Sequence, residues 1–404
     1  MRVVRTNDTN KFYLLLVRQK IKKLIPDAFT VLFFSHSPNN LTAVMENDLA
    51  NYHSRTPVPS LITSRQHTPD ERMRNYIQSI FAVHEPIFWK QDFFLQDACN
   101  PTIAKLPITD LYLVSWRSFD DYDLKFGILN LSSLNRTLSN STLEDGFGFS
   151  PSHRFPIPVQ QFNYDQQDPR LLVENSTSLL LSYTVFLGNR PNGKFKQSFA
   201  RLGVDGSRNV TIGKSYLLDF PQDGPNQKNW VPFFYDQKVL FMQSIVPLHV
   251  VEVVNDEGGN AVVKTFVRGN ETDVPWKGWH GWPIRGGTPA ILVRGVYLSF
   301  FHVLFMFQFP YKLRTYFMGA VTFCPTPPFA YHSMSSHPIV KDALYQGPWV
   351  NIKVDYVVFP TGLSVDPDDV HLWLTFGWQD KHGWLVKMNI DELFASLTLI
   401  KECK

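Results

Sequence analysis

Short apolar segments of β type recur along most of the chain. Five of them are apolar runs that end in a polar or aromatic residue, and their starts lie about 57 to 74 residues apart. These segments are Leu111–Arg117, Leu179–Thr184, Val239–Ser244, Val296–His302 and Val370–Asp380. Each is followed by a further short apolar segment after a stretch rich in Gly, Asn, Asp or Pro. This pattern is typical of strands joined by turns.

The repeat predicts an all-β fold with five similar units. Each unit is long enough for a four-stranded sheet, so the leading architecture is a five-bladed β-propeller over residues 101–404. A β-sandwich with a second domain is the alternative. Residues 1–100 are basic at the start and then rich in Pro and polar residues. They predict a partly irregular N-terminal extension with one helix around Pro69–Phe81, and a short helix is predicted near Asp391–Leu397.

Composition narrows the class of protein. The 404 residues include 39 Lys and Arg against 36 Asp and Glu, a formal net charge of +3. This near-neutral balance gives no reason to expect a nucleic-acid partner, which normally requires a basic stripe or domain. Charged residues make up only 19% and aromatic residues reach 14%. The chain is therefore predicted to be folded and rich in core, not disordered.

Cysteine and hydropathy patterns exclude two further classes. Cys99, Cys324 and Cys403 lie far apart, without a C-x-x-C pair or a nearby His. We therefore predict no metal site and no cofactor, and no disulfide pairing is evident. The longest apolar run, Val296–Phe309, spans about 14 residues, fewer than the roughly 20 that cross a bilayer. No transmembrane segment is predicted, and the apolar run Phe12–Val17 is too short for a clear signal peptide.

N-glycosylation sequons are more frequent than chance predicts. About three are expected for average Ser and Thr usage. The chain has eight, which begin at Asn7, Asn40, Asn130, Asn135, Asn140, Asn175, Asn209 and Asn270. This excess favours a glycoprotein of the secretory pathway.

Short motifs with unusual chemistry precede the strands of the second to fifth units. They are Gln167-Asp168-Pro169-Arg170, Gln227-Lys228-Asn229-Trp230, Arg285-Gly286-Gly287-Thr288-Pro289 and Phe359-Pro360-Thr361-Gly362. In a propeller the innermost strands line one central channel, so their starts converge at one mouth. We therefore expect Asp168, Arg170, Lys228 and Arg285 to lie together. The polar ends of the second strands, which carry Arg117, His302 and Asp380, are expected to approach the same funnel.

Taken in order, these motifs resemble a known family. D-P-R opens the second unit, K-N-x-x-x-F the third and R-G-G-T-P the fourth, followed by F-F-H and Y-F-M-G-A. F-P-x-G and F-G-W-Q-D mark the fifth. The set is similar to glycoside hydrolase family 130, which contains β-mannoside phosphorylases and related hydrolases, and whose fold related mannosyltransferases share. The resemblance runs from about Leu106 to Leu397.

The resemblance implies a role for each matching residue. Asp168 matches the general acid, although Gln167 stands where the family has Glu. Asp380 matches the acid of a motif that reads G-A-A-D in the family and G-W-Q-D here. The residues that the resemblance implies for substrate binding are Arg117, Arg170, Asn229 and Asp380. Those that it implies for phosphate binding are Lys228, Arg285 and His302.

The residue types agree with that chemistry. Breaking a glycosidic bond requires one carboxylic acid, together with a second carboxylate to activate water or an anionic nucleophile to replace it. Arg117, Lys228, Arg285 and a protonated His302 would bind such an anion. The predicted activity is phosphorolysis or transfer of a β-mannoside-type unit. The predicted partners are a glycan and inorganic phosphate or a sugar phosphate.

Two other functions remain open from the sequence. A hydrolase of the same fold would need a second carboxylate as base, and the candidates are Asp165, Asp223 and Asp380. A non-catalytic glycan-binding propeller is favoured if Asp168 faces away from the channel.

Each motif also has a structural interpretation. Asp168 is then a strand-initiating Asx turn, and Gly286-Gly287 permits positive φ. His302 is a satisfied core histidine, and Asp380 caps a hairpin. Trp276, Trp279 and Trp282 with His280 form either a sugar-stacking wall or a loop packed by its own aromatic residues.

Overall fold

A computed structural model gives the fold of the following residues: 2–5, 11–15, 31–35, 43–46, 88–107, 109–118, 124–131, 165–188, 193–205, 210–220, 227–255, 260–269, 283–307, 313–339, 341–345 and 356–403. The chain divides into two compact units. The first comprises Met1–Glu85, Trp276–Trp282 and Val340–Pro348, and the second Pro86–Pro275, Pro283–Ile339 and Trp349–Lys404.

The first unit contains a four-stranded antiparallel sheet. Its strands β1 (Arg2–Arg5), β2 (Lys11–Leu15), β3 (Val31–Ser35) and β4 (Ala43–Glu46) pair in chain order. A 3₁₀ helix spans Asp342–Tyr345. The helix predicted around Pro69–Phe81 and the tryptophans Trp276, Trp279 and Trp282 lie outside the described residues.

The second unit is built of antiparallel strand groups, which confirms the all-β prediction. The first group is β6 (Cys99–Lys105), β7 (Tyr112–Arg117) and β8 (Leu124–Leu129). The second is β9 (Asp165–Val173), β10 (Ser178–Leu187), β11 (Lys194–Val204) and β12 (Val210–Asp219), and the third is β13 (Val231–Tyr235), β14 (Lys238–Ser244), β15 (His249–Asn255) and β16 (Asn260–Arg268). A short parallel pairing of β12 with β16 joins these two groups into an eight-stranded sheet.

The fourth and fifth groups make up a second large sheet. The fourth has β17 (Ile284–Gly286) and β18 (Ile291–Val293), both paired with β19 (Val296–Phe307), and then β20 (Leu313–Phe323) and β21 (Tyr331–Met334). The fifth is β22 (Tyr356–Val365), β23 (His371–Trp378) and β24 (His382–Asn389). Its edge partner is β5 (Trp89–Leu95), which pairs antiparallel with β24. The strand-rich unit therefore begins at Pro86, earlier than the sequence-based boundary at residue 100, because a strand from before that boundary completes its last group.

Several strands are apolar on both faces because neighbouring groups share cores. Strand β10 is buried along nearly its whole length. Leu113 of the first group and Leu181 of the second belong to one apolar cluster, and Leu180 of the second and Phe241 of the third belong to another. A third cluster joins Tyr112 of the first group to Trp373 of the fifth. A sheet buried on both faces needs such near-continuous apolar runs instead of strict alternation.

Aromatic contacts link the remaining neighbours. The ring of Phe233, in the third group, packs against Tyr297 and Phe329 of the fourth group at centroid distances of 5.2 and 5.3 Å. Between the fourth and fifth groups, the His302 and Phe359 rings lie 4.4 Å apart. Each group therefore packs on two others.

The C-terminal segment returns to the fourth group. After β24 comes helix α1 (Ile390–Ala395), near the predicted position, with Asn389 as its N-cap. Strand β25 (Thr398–Leu399) then pairs with β21, and a disulfide joins Cys324 to Cys403 across 79 residues of sequence. Among the described residues, no helix is long and apolar enough to cross a membrane.

Candidate functional site

Backbone geometry at the starts of the innermost strands positions a set of Asn and Asp side chains. Asn100 and Asp168 lie near the starts of β6 and β9, and Asn229 precedes β13. Their backbones are left-handed, with φ of 50°, 53° and 65° respectively. Asn and Asp tolerate this region better than other residues with a Cβ. The pairing of β6 with β7 and of β9 with β10 also shifts register near Asn100 and Asp168. Such bulges change the direction in which a side chain points.

These strand starts converge on one pocket, as the motif spacing predicts. The cavity measures about 140 Å³. The predicted residues that line it are Arg117, Asp168, Lys228, Asn229, Arg285, His302 and Asp380.

Asp168 lies in this pocket and is held by an amide. The side chain is 6% exposed, and its Oδ1 accepts a hydrogen bond of 2.6 Å from Nδ2 of Asn100. Asn100 is itself buried, and Gly377 makes room for it because a Cβ at that position would lie 1.8 Å from Asn100 Oδ1. Asp168 therefore lines the pocket in a fixed position, within β9.

Arg117 and Asp380 form an ion pair at the pocket wall. Nη2 of Arg117 donates to Oδ1 of Asp380 at 2.9 Å and to Sγ of the buried Cys99 at 2.7 Å. Burial opposes the charge of Arg117, but the Cys99 sulfur and the Asp380 and Asp168 carboxylates outweigh it and raise the pKa of the guanidinium above its usual value. Burial raises the pKa of Asp380, while Arg117 acts in the opposite direction. Asp380 lies in the turn between β23 and β24, the position that its structural interpretation predicts, and it also lines the pocket.

Lys228 and Arg285 are the cations of the pocket without an ion-pair partner among the described residues. Nζ of Lys228 lies 4.8 Å from the centre of the Phe195 ring. Arg285 is exposed, and it pairs with His302 in the ladder between β17 and β19. With Arg117, three cationic side chains therefore face the two carboxylates of Asp168 and Asp380. This imbalance favours an anionic ligand.

His302 is neutral in the free protein, which corrects the expectation of a protonated imidazole. Burial is the main cause of a pKa well below its usual value, and the positive charges of Arg285, Arg170 and Lys228 lower it further. Its Nδ1 is buried without a hydrogen-bond partner among the described residues. A backbone hydrogen bond with Gly286 acts in the opposite direction and raises this pKa, without outweighing burial.

The pH dependence of stability should reveal this state. The unfolded chain takes up a proton on this histidine near pH 6.5, and the folded protein does not, so its contribution to stability is lost as the pH falls below about 6.5. We expect His302→Gln to show a shallower fall in unfolding free energy between about pH 7 and pH 5 than the parent. His249 and His382 also have lowered pKa values, but both residues are present in the parent and in the variant, so their effect cancels in the comparison. Equal slopes in urea titrations would contradict the assignment.

Arg170 does not contact the pocket as predicted for a substrate-binding residue, because it is fully buried behind the strand starts. Its Nη1 donates to the Asp168 carbonyl at 2.9 Å and its Nη2 to Asn229 Oδ1 at 3.4 Å. Nε donates to the carbonyl of Gly287. Burial lowers the pKa of Arg170 to about 10, against the effect of Asp168, so it remains charged at neutral pH. Arg170 therefore links β9 to the segment before β13 and to the segment after β17.

The second glycine of R-G-G-T-P serves close packing instead of an unusual turn. Gly286 and Gly287 are outside the left-handed region, in contrast to the alternative that the sequence left open. A Cβ on Gly287 would lie 2.4 Å from the Phe300 carbonyl oxygen. The glycine therefore lets the segment after β17 approach β19 and present its carbonyl to Arg170.

Several lining residues were not predicted from the sequence. They are Asn100, Tyr316, Val357 and Phe359, together with Gln167, which was noted only as a departure from a motif. Asn100 had a detectable signal, because Asn100-Pro101 opens its strand as Asp168-Pro169 opens the next unit. Asp223 lies outside the described residues, as does the side chain of Asp165. Within the described part of the chain, no cluster of His, Cys, Asp and Glu has the arrangement of a metal site.

Comparisons with known proteins give the following result. No family model matches the sequence, and no curated protein matches it. Solved structures similar to it include MPT-4, a mannose phosphorylase from Leishmania mexicana in complex with a phosphate ion, with 14% identity, a TM-score of 0.48 and coverage of 78% of this chain and 93% of that chain. MPT-1, a GDP-Man-dependent mannosyltransferase from Leishmania mexicana, has 11% identity and a TM-score of 0.48. The match covers 78% of this chain and 94% of that chain.

A third structure is the β-1,2-mannobiose phosphorylase from Listeria innocua, with 16% identity, a TM-score of 0.42 and coverage of 78% of this chain and 94% of that chain.

Proposed function

We propose that the chain is a carbohydrate-active enzyme that transfers a β-mannoside-type glycosyl unit to or from phosphate or a sugar phosphate. The observation that carries the proposal is the composition of one pocket. Asp168, held by Asn100, lies there with Lys228 and Arg285, which make no ion pair with a described residue. A fixed acid beside two cationic side chains is what glycosyl transfer with an anionic partner requires.

The proposed step in the phosphorolytic direction is a single displacement. Phosphate held by Lys228 and Arg285 attacks the anomeric carbon, so that a bond forms from a phosphate oxygen to that carbon and the glycosidic bond breaks. The leaving oxygen takes a proton from Asp168, directly or through a sugar hydroxyl. His302 lines the phosphate site, and Asn229 and the Arg117–Asp380 pair hold the sugar. The motif resemblance supports mannose as that sugar.

A propeller with five blades is part of the same proposal. Each of the five strand groups packs on two others, in the order first to second, third, fourth, fifth and back to the first. This closed order supports a ring, and strand β5 joins the start of the unit to its last group. The starts of the innermost strands then meet at the mouth of one channel.

Hydrolysis is the second candidate, because Asp380 places a further carboxylate in the pocket. As a base, Asp380 would have to activate water while it accepts the 2.9 Å hydrogen bond from Arg117. That contact favours a positioning role for Asp380, and phosphorolysis remains the preferred function.

Binding of inorganic phosphate tests the proposal. Millimolar phosphate should raise the melting temperature, since a ligand at 100 times its Kd stabilises the folded state by about 2.7 kcal/mol. Arg285→Ala should lose most of this shift, and mannose alone should have a smaller effect. Arg294→Ala is the matched control, because Arg294 is an exposed arginine that does not line the pocket and contacts Asp391 and the Asp369 carbonyl. No shift in the parent, or an equal shift in Arg285→Ala, would contradict the proposal.

A further inference from the structure

Asn175 lies in the turn between β9 and β10, within the sequence Asn175-Ser176-Thr177. We propose that Asn175 carries an N-linked glycan and that the chain folds in an oxidising compartment of the secretory pathway. All three residues of the sequon are exposed. A glycan at this position therefore displaces no core residue. This inference concerns maturation of the chain and does not depend on its enzymatic activity.

The hydrogen bonds of the turn leave the acceptor atom available. Oδ1 of Asn175 accepts from the backbone N–H of Thr177 at 2.9 Å and from its hydroxyl at 3.1 Å. This Asx turn uses the carbonyl side of the amide. The amide nitrogen Nδ2 donates to no described residue. It is bonded to the same carbon, Cγ, as Oδ1 and points in a different direction. The atom that would be glycosylated therefore faces away from the groups that hold the turn.

The disulfide is an independent observation that indicates the same compartment. Cys324 and Cys403 are far apart in sequence but their Cα atoms lie 5.4 Å apart, within the range for a bridge. Bridges of this kind form and persist in secretory and extracellular environments and are rare where glutathione keeps thiols reduced. The same compartment supplies the donor for N-glycosylation, so one location explains both features.

The position of Asn175 also leaves the proposed active site open. Asp168 is near the start of β9, and Asn175 follows the end of that strand, seven residues later. At about 3.3 Å for each residue of a strand, the two residues are roughly 20 Å apart. A glycan at Asn175 would therefore extend from the end of the sheet away from the pocket.

The chemistry requires one co-reactant for each modification. Nδ2 of Asn175 forms a bond to the anomeric carbon of an oligosaccharide carried on a lipid diphosphate. The bond from that carbon to the diphosphate oxygen breaks, and the proton lost from Nδ2 leaves with the lipid diphosphate. For the disulfide, the two cysteine thiols lose two protons and two electrons, and a thiol–disulfide oxidant of the compartment is reduced.

Peptide mapping of the full-length protein from its natural source tests the proposal. Trypsin releases the segment Leu171–Lys194, because Arg190 precedes a proline and is not cleaved. Asn175 is its one sequon asparagine. Treatment with an amidase that removes N-glycans in ¹⁸O-water should convert Asn175 to labelled Asp, and alkylation without reduction should leave Cys324 and Cys403 unlabelled. An unmodified Asn175 overturns the proposal, whatever the state of the cysteines.

Two variants of the sequon provide the matched control when the full chain is expressed through a eukaryotic secretory pathway. Thr177→Ala removes the hydroxyl that the sequon requires but keeps Asn175, and Ser176→Ala changes a neighbouring exposed residue but keeps the sequon. We expect the glycopeptide to be lost in Thr177→Ala and retained in Ser176→Ala. Its absence from both the parent and Ser176→Ala overturns the proposal, as does its persistence in Thr177→Ala.

Discussion

Replacement of Asp168 by Asn is expected to lower turnover of an unactivated β-mannoside by about 10²–10⁴-fold, the usual effect of losing a general acid. The variant should keep the shape of the site, because the new amide oxygen can accept the 2.6 Å hydrogen bond that Asn100 Nδ2 donates. What it loses is the group that transfers a proton to the leaving oxygen. Steady-state rates with a mannobiose and phosphate measure the effect.

A substrate with a good leaving group supplies the control. A nitrophenyl mannoside needs little protonation, so Asp168→Asn should lose much less activity on it than on mannobiose. Unfolding curves that match those of the parent would show that the fold is intact. Near-normal turnover of mannobiose by the variant would assign the proton transfer to another carboxylate, with Asp380 as the first candidate in the pocket.

Replacement of Arg170 by Met should lower the free energy of unfolding by about 3–5 kcal/mol, although Arg170 does not line the pocket. Its fully buried guanidinium donates to the carbonyls of Asp168 and Gly287 and to Asn229 Oδ1. Methionine fills much of the same volume but leaves these acceptors unpaired. Lysine is expected to be a poor substitute, because one ammonium cannot reproduce the planar fork. Urea denaturation followed by tryptophan fluorescence measures the loss.

Arg201→Ala is the matched control for this prediction. Arg201 belongs to the same strand group, but its side chain is 45% exposed and pairs with Glu174 at 3.1 Å. An exposed ion pair of this kind contributes at most about 1 kcal/mol. An equal loss of unfolding free energy in Arg170→Met and Arg201→Ala would contradict the stabilising role of the Arg170 hydrogen bonds.

The sequence predicts the convergence of the strand starts, because the repeat fixes where each innermost strand begins. Asp168, Lys228 and Arg285 are about 60 residues apart and nevertheless line one cavity. The sequence does not predict the direction in which a side chain points at a bulge. Arg170 follows Asp168 by two residues, and the register shift between β9 and β10 places one in the pocket and the other behind it.

Other features depend on contacts between distant parts of the chain. The charge of His302 depends on burial and on cations from three other motifs, so an isolated F-F-H segment does not determine it. The bridge between Cys324 and Cys403 follows from the return of β25 to β21. Strand β5 is recognisable only from its partner β24, because an edge strand of seven residues has little pattern of its own.

The measurement that tests the proposed function most directly is the product formed from a β-mannobiose with inorganic phosphate. The parent protein is incubated with mannobioses of different β linkage, and phosphorus NMR follows the reaction. The account predicts that mannose 1-phosphate appears in the same amount as phosphate is consumed, and that Arg285→Ala loses this reaction. Release of free mannose at a rate independent of phosphate, or no turnover of any linkage, would contradict it.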